Sequence, residues 1–112
     1  LLLLRDPDYR SIMMDPTDDT RHDHCRIYWN TYTRKVYLDL LSLSPPDSGK
    51  EYRVWCKADR SYQLVAVLQD AADGDALLSL GNVASAQEWA ISEEVAGDTT
   101  SKAPGKVLFT GR

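Results

Sequence analysis

Two runs of alternating character, Glu51 to Lys57 and Tyr62 to Gln69, flank Ala58-Asp59-Arg60-Ser61, and no other feature of the chain limits its fold as much. Successive side chains of a strand point to opposite faces, so a sustained period of two argues for extended backbone. A short polar loop between two such runs joins them as an antiparallel hairpin. In the first run Tyr52, Val54 and Cys56 share one face, and Arg53, Trp55 and Lys57 share the other. In the second, Tyr62, Leu64, Ala66 and Leu68 are expected inward, with Gln63, Val65 and Val67 outward. An Asp at Leu64 or Ala66 would then bury an unpaired charge and unfold the domain.

The other segments are less sharply patterned. Arg26 to Thr33 is rich in β-branched and aromatic residues and reads as a strand, with a helix starting at Asp18 or Asp19 as its competitor. Val36 to Leu43 suits either a short helix or a second strand, because a brief apolar run does not separate the two. Asp6 to Asp23 reads as an ordered loop with one helical turn at Tyr9, Ile12 and Met13. Ser44-Pro45-Pro46-Asp47-Ser48-Gly49 is strong turn chemistry. Ala76 to Leu80 is a short apolar run. Ser85 to Val95 reads as a helix, with Ser85 as N-cap and Glu88 completing a capping box. Val107 to Thr110 reads as a closing strand. The expected fold class is therefore α+β: a small antiparallel β-sheet with a central hairpin (51–57, 62–69) and one or two short helices. Residues 1–112 form a single domain, since 112 residues, 43% of them apolar, suit one core.

Charge narrows the partners. The formal net charge is −4 and no block of Lys or Arg occurs, which argues against nucleic acid. Leu1 to Leu4 is too short to span a bilayer. The run reads as the end of a signal peptide, the last turn of an anchor helix or a buried N-terminal strand, so a membrane would be met only through a preceding segment. Cys25 and Cys56 are the two cysteines, and they either form one disulfide or remain two buried thiols.

Several groups deserve a chemical reading. His22, His24 and Cys25 lie in an acidic stretch and are candidate zinc or copper ligands, although no C-x-x-C or H-E-x-x-H accompanies them and a solvated turn is the plainer reading. Asp70 to Asp75 suggests a calcium loop, but Gln69 and Ala71 stand where an EF-hand would place carboxylates. No nucleophile elbow or glycine-rich phosphate loop is present, so neither an enzyme nor a cofactor is expected. Trp29 and Trp55 are candidates for stacking on a sugar, with core packing as the plainer alternative. The outward set Trp55, Val65 and Val67 is a candidate protein interface. An antiparallel sheet normally keeps one wet face, and here both faces of the hairpin carry apolar side chains.

In sequence order, Tyr37-Leu38, Leu40, Pro46-Asp47-Ser48-Gly49, Tyr52-x-Val54-x-Cys56, Asp59 and Tyr62-x-Leu64-x-Ala66-x-Leu68-Gln69 form a recognisable series. Over about residues 37–70 it resembles the β-region of bacterial type IV pilins and type II secretion pseudopilins. The family's long N-terminal hydrophobic helix is not matched, and Pro7 and Pro16 interrupt any continuation from Leu1 to Leu4. The resemblance implies a structural subunit of a filament or envelope assembly, extracytoplasmic or at the cell surface, with protein subunits as partners. A binding module for carbohydrate or metal, or an accessory subunit of a larger complex, is the alternative.

Overall fold

The computed structural model describes residues 6–39, 43–68 and 77–112. Its strands are β1 (Tyr9–Pro16), β2 (Cys25–Asn30), β3 (Lys35–Asp39), β4 (Lys50–Ala58), β5 (Ser61–Leu68), β6 (Leu77–Asn82), β7 (Glu88–Val95) and β8 (Lys106–Gly111). All pair antiparallel in one eight-stranded sheet of order β5-β4-β7-β8-β1-β2-β3-β6. The sheet curls until its two end strands, β5 and β6, approach one another, giving a barrel with one open seam. Strand β1 holds the two halves together: Tyr9 to Met14 pair with β2, while Asp15 and Pro16 pair with Thr110 and Phe109 of β8.

The expected α+β class is corrected to all-β, since no helix occurs among the described residues. Ser85 to Val95 is the main reversal, because Glu88–Val95 is a central strand between β4 and β8. Trp89 and Ile91 enter the barrel, while Ala90 and Ser92 lie buried on the outside, so both faces are covered. A strand covered on both sides loses its apolar–polar alternation, and the pattern that remained imitated a helix. The turn at Tyr9, Ile12 and Met13 is likewise extended: Ile12 and Met14 point into the core and Met13 out of it. Leu1 to Leu4, Asp70 to Asp75 and parts of the Val36 to Leu43 and Ala76 to Leu80 runs lie outside the described residues.

An eight-stranded barrel is just wide enough for its interior side chains to fill it. Here Ile12, Met14, Ile27, Leu38 and Phe109 are each at most 1% exposed. Trp29 and Trp89 meet edge to face, with ring centroids 5.5 Å apart. The Trp29 indole N–H donates to the Val83 carbonyl at 2.9 Å, tying the crossover after β6 to the core. The interior is therefore a packed core, and function falls to the outside and the ends of the barrel.

The hairpin β4–β5 forms where the alternation places it. Asp59 and Arg60 turn the chain with φ of 51° and 71°, the paired positive values of a tight hairpin turn whose twist matches its strands. One detail departs from simple alternation. Val54 pairs with Ala66 but Trp55 pairs with Leu64, so Val65 is an extra residue, a β-bulge. Beyond the bulge the faces exchange. Leu64, expected inside, shares the outer face with Trp55 and is 50% exposed, whereas Val65 packs against the core. The expectation that an Asp at Leu64 would unfold the domain is corrected with it.

Candidate functional site

A depression of about 480 Å³ lies at one end of the barrel between the loops after β1 and before β4. Arg21 and Asp23 dominate it. The Arg21 guanidinium donates through Nη2 to Asp23 Oδ2 at 2.7 Å and to Tyr52 Oη at 3.1 Å, and it stacks 5.0 Å from the Phe109 ring centroid. Tyr52 Oη donates to the Ser44 carbonyl at 2.7 Å, and Asp23 Oδ2 accepts from the Ser44 amide at 3.1 Å. Burial alone would raise the Asp23 carboxyl, but the Arg21 and Ser44 donors outweigh it and hold Asp23 below the usual carboxylate range. Together they clamp the loops after β1 and before β4 to the barrel end.

The His22, His24 and Cys25 set does not converge. Both histidines are exposed, Cys25 is buried in the core, and among the described residues no group of three or more His, Cys, Asp or Glu is arranged to hold a metal. Burial, reinforced by the nearby Asp23 charge, pushes the Cys25 thiol up to about 12, which keeps it protonated and unreactive at neutral pH. Cys56 is also buried and raised by burial. The two are free thiols rather than the ends of a bridge. Trp29 and Trp55, at 4% and 1% exposure, present no ring face to a sugar.

The outside of the hairpin is unusual in being covered. Residues 96–105, between β7 and β8, fold over the outer face of β4 as a strap. Their anchor is a buried ion pair: Arg53 Nε donates to Glu51 Oε2 at 2.8 Å, with the two side chains 4% and 8% exposed. Arg53 Nη2 donates to the Val95 and Asp98 carbonyls, and the Gly97 amide donates to Glu51 Oε1 at 3.0 Å. Gly97 turns at φ 80°, a conformation that side chains disfavour. At the far end of the strap the Gly105 amide donates to Glu94 Oε2 at 2.8 Å. Burial works against the Glu51 charge, yet the Arg53 and Gly97 hydrogen bonds outweigh it and keep its carboxyl below the ordinary value. Trp55 lies buried on this same face, its indole N–H donating to Ser92 Oγ at 2.8 Å.

No protein-family model, curated protein or solved structure matches the chain.

The strap stops short of β5. Leu64 and Val67 remain 50% and 37% exposed, and Tyr62 is half-buried on the same outer face. Of the interface expected from the sequence, Val67 stands at the surface, Trp55 is buried and Val65 has turned inward. Leu64 takes their place, and it was missed because a bulge leaves no mark in composition. The Glu51–Arg53 anchor did leave one: opposite charges two residues apart on a strand share a face and can pair across Tyr52.

Proposed function

We propose that this chain is a non-enzymatic association module that joins protein subunits through the outer face of β5. The observation that carries the reading is the exposed Leu64–Val67 pair on a strand, Ser61–Leu68, with no charged residue. An exported filament or envelope subunit is the narrower form of the proposal, and its support is the pilin resemblance over residues 37–70.

A photo-activated cross-linking residue placed at position 64 or 67 in the expressing cell tests the reading, with position 33 on the turn between β2 and β3 as control. The expected result is a protein adduct from positions 64 and 67 and none from 33. Equal adducts from all three positions, or none at all, would overturn it.

A further inference from the structure

We infer that the partner seated on β5 is a second copy of this chain, docked face to face with its β5 antiparallel across a two-fold axis. The inference rests on the association reading above and names its partner.

A two-fold interface brings one patch against itself, so the patch must carry both a projection and a recess. Leu64 is the projection. The recess lies beside it, a notch of about 180 Å³ lined by Leu64, Val67, Gly97, Asp98, Thr99 and Ser101 above the Arg53–Glu51 pair. A volume of that size accepts one aliphatic side chain, and Leu64 of a second copy has the matching chemistry.

Charge fixes the direction. Strand β5 starts at the barrel end where Lys57, Arg60 and Arg112 cluster against Glu88 and Asp59. It finishes at Leu68, opposite Tyr52, at the end where Asp18, Asp23, Asp47 and Glu93 outnumber Arg21 and Lys106. Antiparallel docking sets the cationic end of each copy beside the anionic end of the other. Parallel docking would set like beside like. The apolar patch is small, so the dimer is weak and forms at high chain concentration.

Sedimentation velocity across a dilution series of the purified chain, at low and high salt, tests this. The expected result is a monomer–dimer equilibrium that weakens as salt rises. Leu64→Lys should abolish it and Arg60→Glu should weaken it by roughly tenfold. Both sites are exposed, and unchanged thermal unfolding of each variant shows that the fold is intact. A wild-type chain that stays monomeric up to roughly millimolar concentration overturns the second-copy inference. In that case cross-links from positions 64 and 67 to a different protein leave the association reading standing. A dimer that ignores both substitutions places self-contact elsewhere and also overturns the inference.

Discussion

Replacing Arg53 with Ala removes the cation from a pair whose carboxylate stays behind. Glu51 would keep the Gly97 amide as its partner, with 8% of its side chain in contact with solvent. Stranding one member of a buried pair typically costs about 3–5 kcal/mol. Against a total stability of about 5–15 kcal/mol for a domain, that is a large fraction. At about 4 °C per kcal/mol for a chain of this size, the melting temperature should fall by roughly 12–20 °C. Urea unfolding followed by tryptophan fluorescence gives the same quantity as a shift in midpoint, with the slope unchanged if the unfolded state is unaltered. Trp55 lies on the face that the strap covers, so the variant should also show acrylamide quenching in the native state before the main transition. The double variant Glu51→Leu/Arg53→Leu should lose less than Arg53→Ala alone, because both charges leave together. A loss below about 1 kcal/mol for Arg53→Ala would be that of an exposed pair and would refute the picture of a buried, strap-holding anchor.

Acid should act on the same anchor. Glu51 and Asp23 both have carboxyls held below their ordinary values in the folded chain, so their contribution is complete above the unfolded carboxylate pKa of about 4 and is lost as pH falls through the folded values. Unfolding midpoints measured from pH 7 down to about 2 should fall along that limb, and less steeply in Glu51→Gln. Gly111→Ala should destabilise by about 1–3 kcal/mol in thermal melts, since the added methyl would sit 2.7 Å from both the Met13 carbonyl oxygen and Met14 Sδ. Cys25 and Cys56 should both resist a maleimide in the native chain and both react after denaturation, and an intact mass lighter by two hydrogen atoms would show a bridge instead.

How much of this was legible before the structure depends on which face a residue serves. The hairpin was readable because β4 and β5 alternate with few interruptions, and its turn fell at Asp59-Arg60 as the polar loop required. Strand β7 was not readable as a strand, because Ala90 and Ser92 are small residues buried beneath neighbouring groups rather than polar residues facing water. Strand β1 was hidden by Asp15-Pro16, which looked like a turn but ends a strand where Pro16 still pairs with Phe109. The strap is ten residues of loop chemistry whose role depends on two charges some forty positions earlier, a long-range relation that local patterns do not carry. Of the outward set expected on this hairpin, Val67 is at the surface and Trp55 and Val65 are not. One bulge at Val65 exchanges the faces of Leu64 and Val65, and tertiary cover removes Trp55.

The proposed function requires Leu64 to face outward beside Val67, and thiol labelling of Leu64→Cys and Ala66→Cys tests that most directly. The native thiols are buried and supply a quiet background. In dilute solution the cysteine at position 64 should react at nearly the rate of an unfolded control, while that at position 66, packed against the core, should be strongly protected. At high concentration position 64 should slow as β5 is covered. Protection of position 64 at every concentration, with position 66 reactive, would return the hairpin to simple alternation and remove the surface on which the proposed function depends.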